Sequence, residues 1–382
     1  MGEMSTESTR IDSIDIFRGF TVALMILVNN PGSWSHLYAP LQHAEWFGWT
    51  LTDLVFPFFL FIVGVSAWFS TQKFGHRLTG PAMRKILLRT TGIFLIGIFL
   101  NAFPFCKINW ETLEVSVRSW ESFRILGVLQ RIALCYGLGV SICLLFRGNV
   151  RSLIGVSIAI LLGYWWLFYL PNVSDPFGPE QNILRQLDLW MIGESHLYQG
   201  YGLAFDPESL TGALSGSVTI IFGFLAGSQI DRPHSPRESV FTLLFYGPLL
   251  ILLAAIWSQV FPISKPLWTS TYVLLTAGLG FLTLAYSYWN VDVQKRMVGW
   301  RWGAEFFRAF GSNPLLMFVL AGLLAKTFLP WMKSRPWYNV YYSAMELKYG
   351  GNLTSLLCAI SLVLLLGLIA IVLHVRRIYI KI

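Results

Sequence analysis

Residues 50–71 read TLTDLVFPFFLFIVGVSAWFST, in which Asp53 is followed by a run without a single charged side chain. A helix needs roughly 20 mainly apolar residues to cross the hydrocarbon of a bilayer. This run is apolar on every face, so it belongs against lipid or other helices rather than on a water-facing surface. The pattern returns along the chain at 14–29, 86–105, 125–146, 153–170, 210–227, 240–260, 267–289, 306–329 and 356–375. With 50–71 these make about ten candidate spans. The expected fold class is all-α: a polytopic membrane bundle with one domain over 14–382, preceded by a disordered polar lead over 1–13.

Composition agrees with the spans. Of 382 residues, 55% are hydrophobic and only 13% charged, against about 25% charged in ordinary soluble domains. Mean hydropathy is +0.58. A formal net charge of +8 reports membrane topology here rather than a nucleic-acid partner, so nucleic acid is excluded as a ligand class. The four cysteines, Cys106, Cys135, Cys143 and Cys358, have no CxxC spacing, and neither a metal site nor a disulfide framework is expected.

Basic residues in short loops set the orientation. The segment QKFGHRLTGPAMRKILLR carries Lys73, Arg77, Arg84, Lys85 and Arg89 and is assigned to the cytoplasm. Alternation then puts Arg147, Arg151, Arg232, Arg237, Lys295, Arg296, Arg376 and Arg377 on the same side. Both termini are expected in the cytoplasm. The loop NNPGSWSHLYAPLQHAEW, ending at Trp46, and the acidic segment 171–209 are expected to face outward.

Ionisable and amide groups inside or beside spans are costly, which makes each a functional candidate. Asp15 and Arg18 lie three apart on one helical face: a structural ion pair, or one whose arginine also meets an anionic ligand from the inside. Asn29 and Asn30 end the first span, either capping carbonyls or donating to a substrate oxygen. Asp53 opens the second span, where a carboxylate suits the helix dipole. Pro57, one turn later, frees a backbone carbonyl that another group must satisfy. His43 lies a short linker before Asp53, and a carboxylate within reach fixes an imidazole's tautomer and raises its basicity. The fourth span carries Arg124, Gln130 and Arg131, with Arg131 too deep to stay unpaired. Either a carboxylate such as Asp53 or Glu208, or a ligand phosphate, would serve it. FDPES at 205–209 reads as a helix start with Asp206 as N-cap. Gly212, Gly216, Gly223 and Gly227 run down the helix that follows, allowing close packing or room for a slender ligand arm. Asn313 before Pro314 marks an interrupted helix, its amide binding a ligand or mending the break.

Five blocks now stand in order: FRGFTVALMILVNNPG (17–32), HAEWFGWTLTDLVFPFFLFIVG (43–64), RILGVLQRIAL (124–134), FDPESLTGALS (205–215) and FGSNPLLMFVL (310–320). Together they resemble the transmembrane acetyltransferases typified by heparan-α-glucosaminide N-acetyltransferase and its bacterial relatives. The resemblance covers Arg10 to about Leu329, and its first two blocks are the specific ones. It implies that an acetyl group from cytosolic acetyl-CoA crosses the membrane to the amine of a glucosamine-type acceptor on the outer face. It also implies residue roles. The family's active-site histidine carries over to His43, its asparagine to Asn29 and its aspartate to Asp53. Glu208 matches the acidic motif, although Ser209 stands where relatives have glycine.

On this expectation His43 attacks the thioester or takes the acceptor's proton, Asp53 orients the ring, and Asn29 donates to the oxyanion. Arg18 and the Lys73–Arg89 loop meet the acetyl-CoA phosphates, with Arg124, Gln130, Arg131 and Asn313 as further contacts. Asn30, Trp46 and Glu208 face the acceptor, with Trp34 and Trp49 nearby as sugar-stacking rings. No metal is expected. The implied setting is a bacterial inner membrane, with lipids and a second copy of the chain as partners. The competing reading is a saccharide transporter without chemistry. It suits the aromatic outer mouth, but the sequence has no clear internal repeat of the kind many transporters show.

Overall fold

A computed structural model describes residues 11–117, 119–231, 235–295 and 301–380. Residues 1–10 of the expected lead, and Arg232 and Arg296 among the basic residues used for orientation, lie outside the described residues. The helices are α1 (Asp12–Asn29), α2 (Val55–Thr71), α3 (Gly80–Ala102), α4 (Val128–Leu145), α5 (Val150–Leu167), α6 (Ile183–Met191) and α7 (Ala213–Ile230). After them come α8 (Pro236–Trp257), α9 (Ser270–Tyr288), α10 (Arg301–Ser312), α11 (Pro314–Lys326), α12 (Phe328–Lys333), α13 (Pro336–Tyr349) and α14 (Gly351–Val375). A short antiparallel ribbon, β1 (Cys106–Ile108) with β2 (Val115–Val117), pairs Cys106 with Val117 between α3 and α4.

Among the described residues nine helical segments are long and apolar enough to cross a membrane. The first expected span, α1, is a further helix of 18 residues that also carries Asp12, Asp15 and Arg18. The chain is a polytopic helical membrane protein. Helix α7 forms its centre, buried along nearly its whole length, whereas α5 and α8 turn most of their side chains outward.

Small residues set the closest approaches. A β-carbon on Gly223 of α7 would lie 2.0 Å from the Phe61 carbonyl oxygen, and one on Gly64 of α2 would lie 2.2 Å from that of Ile220. Helices α1 and α10 meet the same way, through Gly19 against Phe307 and Gly311 against Asp15. Backbones at this distance gain dispersion contacts that lipid tails cannot supply, which is how helices associate where the hydrophobic effect is absent. The glycines of α7 therefore serve packing. Gly212 and Gly216 make room for the side chains of Arg131 and Cys135.

Short polar turns join the helices at one end of the bundle, and their caps are readable in the sequence. The Thr79 side chain accepts from the Ala82 amide at the start of α3, Asn149 from Ser152 at α5, and Ser235 from Glu238 at α8. This end, with Lys85, is here called the Lys85 face. The longer loops at 30–51, 103–127, 168–212 and 258–269 gather at the other end, the His43 face, where Gly48 bonds to Ile263, Trp46 to Phe177 and Ile125 to His196.

Two local expectations change, and the expected break at Asn313 is present with a second one after it. The second span begins with a 3-10 turn, Thr52–Leu54, before α2 proper. FDPES does not start α7, which begins at Ala213. Asp206 instead holds a tight turn, accepting from the Glu208 amide at 3.0 Å, while its carboxylate is drawn out by Arg124. The ninth span breaks into α10, α11 and α12, with the first break at Asn313–Pro314 as proline's missing N–H dictates.

Candidate functional site

The loop before α2 folds back on Asp53. Oδ2 of this fully buried carboxylate accepts from the amides of Ala44 and Thr50, each at 3.0 Å, and from the Thr50 hydroxyl at 3.1 Å. Oδ1 faces His43 Nδ1 at 2.7 Å. The backbone beneath is also accounted for. Pro57 cannot donate to the carbonyl four residues earlier, which is that of Asp53, and the buried Tyr272 hydroxyl of α9 donates to it instead. Proline, aspartate and tyrosine thus clamp one point of chain. With Nδ1 turned to the carboxylate, Nε2 of the half-exposed ring is the nitrogen left to meet a substrate.

A third charged group completes this cluster. Lys265, between α8 and α9, places Nζ 2.9 Å from His43 Nδ1 and 3.2 Å from Asp53 Oδ1. Burial lowers the lysine's hold on its proton, opposed by the carboxylates of Asp53 and Glu208. Nothing in the sequence singled it out, because a lone lysine in an outward loop reads as topology. The detectable signal was its setting: ISKPLW is short, proline-stiffened and lies directly before a span.

The walls come from the acidic segment. Trp46 donates its indole N–H to the Phe177 carbonyl at 2.8 Å and meets the Tyr201 ring edge-on at 5.4 Å. Arg124 binds both oxygens of Asp206, at 2.9 and 2.8 Å, and Glu208 at 2.5 Å. Burial opposes the arginine's charge, but the Asp206 and Glu208 carboxylates outweigh it and hold the proton firmly. Arg131 finds neither Asp53 nor Glu208. Its Nη2 donates to the carbonyls of Pro207 and Ser209 at 3.0 and 3.1 Å, and the guanidinium lies 4.9 Å over Trp268, so backbone carbonyls and a ring stand where a carboxylate was expected.

Toward the Lys85 face a cavity of about 360 Å³ opens between α1, α2, α3, α4 and α11. Its walls are apolar (Phe59, Val63, Ile93, Leu129, Ile132), and Arg18, Lys85, Arg89 and Ser66 contribute the polar groups. Arg18 pairs with Asp15 at 3.2 Å and donates to the Ser66 hydroxyl at 2.6 Å. Arg89 lies 5.0 Å over the Tyr136 ring. A mixed surface of this kind suits a ligand with an anionic head and a slender apolar arm.

Comparisons with known proteins point to one family of names. The family model described as heparan-alpha-glucosaminide N-acetyltransferase, catalytic, matches residues 10–191. The human protein named heparan-alpha-glucosaminide N-acetyltransferase is 28% identical over 83% of this chain and 53% of its own length. The mouse protein of the same name is 26% identical over 82% and 53%. The family resemblance holds. The chain spans about half the length of these curated relatives.

Set beside these acetyltransferase relatives, the expected site residues divide. His43 and Asp53 are in contact, with Trp46 in the neighbouring wall and Glu208 electrostatically linked to Lys265. Asn29 is exposed at the end of α1, and among the described residues no hydrogen bond joins it to His43. Asn30 caps α1, donating to the Ile26 carbonyl at 2.8 Å. Of the residues expected around acetyl-CoA, Arg18 lines the cavity; Arg124, Gln130, Arg131 and Asn313 do not. Gln130 is buried, donating to the Ile125 carbonyl at 2.9 Å. Asn313 ties the break it marks to the C-terminal segment: it donates to the Ile378 carbonyl at 2.9 Å and accepts from the Ile380 amide at 2.8 Å. It therefore holds the chain segment that closes one cavity wall.

Proposed function

We propose that this chain is a transmembrane acyltransferase, moving an acetyl group from acetyl-CoA held at the cytoplasmic Lys85 face to an amino sugar at the outward His43 face. One observation carries the reading: a cation-lined apolar cavity enters one end of the bundle, and a carboxylate-oriented imidazole stands at the other. Arg18, Lys85 and Arg89 would hold the phosphates, and the walls of α2, α3 and α4 would enclose the arm that ends in the thioester. His43 Nε2 would take the acceptor ammonium's proton, freeing the amine to attack the thioester carbonyl, or would itself attack that carbonyl and carry the acetyl group to the amine. In either case the acyl C–S bond breaks, CoA leaves as the thiolate, and Asp53 stabilises the imidazolium. Both routes use the same nitrogen. Incubation with labelled acetyl-CoA alone, followed by peptide mapping of His43, separates them.

The relatives' printed name supplies the acceptor class, a glucosaminide amine, and the acid-rich wall around Glu208 suits an amine arriving protonated. His43→Ala should reduce acetyl transfer from acetyl-CoA to glucosamine at least 100-fold, the scale of a lost general base. It should leave acetyl-CoA binding intact, whereas Lys85→Ala with Arg89→Ala should weaken that binding. Wild-type transfer by His43→Ala sinks the reading.

A further inference from the structure

We infer that Lys265 is a positioning residue that governs which nitrogen of His43 carries the proton and keeps the ring from holding two. This deepens the proposed acyltransferase reading and rests on it for its catalytic meaning.

The argument begins with donors and acceptors. An ammonium only donates and an ionised carboxylate only accepts, while a neutral imidazole nitrogen does one or the other. Nδ1 of His43 faces both, with Asp53 Oδ1 at 2.7 Å and Lys265 Nζ at 2.9 Å, and these two partners lie 3.2 Å apart. Two neutral arrangements follow. A proton on Nδ1 points to Asp53 and leaves Nε2 a lone pair, the form that can act as base or nucleophile. A lone pair on Nδ1 accepts from Lys265 and puts the proton on Nε2, the form that can act as acid. The doubly protonated ring must place its Nδ1, with its proton, 2.9 Å from an ammonium. Asp53 favours that cation and Lys265 opposes it.

The lysine is held for this task. Its loop is pinned across its base, where the Ser264 amide donates to the Thr269 hydroxyl at 3.0 Å and the Thr269 amide to the Ser264 carbonyl at 3.2 Å. The Trp268 amide donates to the Lys265 carbonyl at 3.0 Å, closing the turn around it. The loop is also tied to the histidine's own loop, the Gly48 amide donating to the Ile263 carbonyl at 2.8 Å. A lysine on a free loop would lose backbone as well as rotamer entropy to reach this point. Here much of that loss belongs to the fold.

Every charged or titratable neighbour enters the balance. Asp53 comes from the turn before α2, Lys265 from the α8–α9 loop, and Tyr272 of α9 is bonded to the Asp53 carbonyl. Glu208 acts on Lys265 from the 206–210 turn, and Tyr201 feels both Asp53 and Glu208. Arg124 already binds Glu208 and Asp206, so Lys265 is the cation in direct contact with the ring.

The test reads the ring itself as well as turnover. Diethyl pyrocarbonate reacts with the unprotonated imidazole, and peptide mass spectrometry locates the product at His43. Modification rates against pH are measured for full-length wild type, Lys265→Met, Lys265→Gln and Lys265→Arg in detergent, alongside the pH profile of acetyl transfer. Removing the cation should move the midpoint of His43 modification, and the acidic limb of the transfer profile, to higher pH by about one unit, a tenfold change in proton affinity. Lys265→Arg should keep both near wild type. Unchanged midpoints in both neutral variants, with only the rate reduced, would mean that Lys265 merely packs, and the inference fails. Should the midpoint move while no variant, wild type included, transfers acetyl, the acyltransferase reading fails and the ring's dependence on Lys265 stands.

Discussion

Asp53 shows how much one residue is asked to do. It closes the preceding loop through Ala44 and Thr50, orients His43, pairs with Lys265, and leaves its carbonyl to Tyr272 because Pro57 cannot fill it. A second buried carboxylate behaves differently. Asp188 of α6 has no cation at salt-bridge distance among the described residues and accepts from the Leu210 amide at 3.2 Å. Burial pushes its carboxyl up to about 7, against the hydrogen bonds from Ser209 and Leu210 that favour ionisation. The unfolded carboxyl releases its proton near pH 4. Between about pH 4 and pH 7 the folded protein therefore binds more protons than the unfolded chain, and stability falls as pH rises through that window. Asp188→Asn keeps the acceptor for Leu210 and removes the titration. Its thermal midpoint in detergent should change less than wild type's between pH 4.5 and 7.5, and exceed it at the upper end; equal slopes would contradict this.

At the scale of elements, α2 links the two faces. From Asp53 to Ser66 is thirteen residues, roughly 20 Å of helix axis. The cavity accompanies α2 from Ser66 to Phe59. One turn further toward His43, Val55 packs with Met25 and Val28 of α1, with Phe318 of α11 and Leu41 against them. The helices α1, α2 and α11 that line the cavity thus also close it. On the proposed reading the thioester passes this cluster. Val55→Phe adds volume where little is spare and should cut acetyl transfer at least tenfold while acetyl-CoA binding, measured by calorimetry, stays within twofold. A variant that transfers at the wild-type rate would show that the acetyl group takes another route.

For the whole molecule, sidedness is the main consequence. On the proposed reading, a bundle with a cation-lined cavity at one end and the His43 imidazole at the other takes its two substrates from opposite compartments. In proteoliposomes of known orientation, acetyl-CoA supplied at the Lys85 face should support acetylation of glucosamine supplied only at the His43 face. The reverse supply should give no product, and equal product from both arrangements would remove the transmembrane element of the proposal. The interlocked glycines of α2 with α7 and of α1 with α10 make the bundle's centre tight, so on the proposed reading transfer across it would rely on side-chain movement around a fixed frame rather than on rocking of two halves.

Length and apolarity were enough, in sequence alone, to give the class of molecule and the approximate spans, because lipid imposes helix length and polarity residue by residue, while the grouping of His43 with Asp53 was readable from their separation of 10 residues. The two motif blocks around Asn29 and Asp53 likewise carried the family resemblance. What tertiary structure decided was partnership. Whether Arg131 meets a carboxylate or backbone carbonyls, whether Asn313 faces a ligand or mends a helix break, and whether Lys265 reaches His43 across 222 positions of sequence depend on how loops at one end of the bundle fold together. Those contacts are long-range and set by packing, and no local propensity in the chain encodes them.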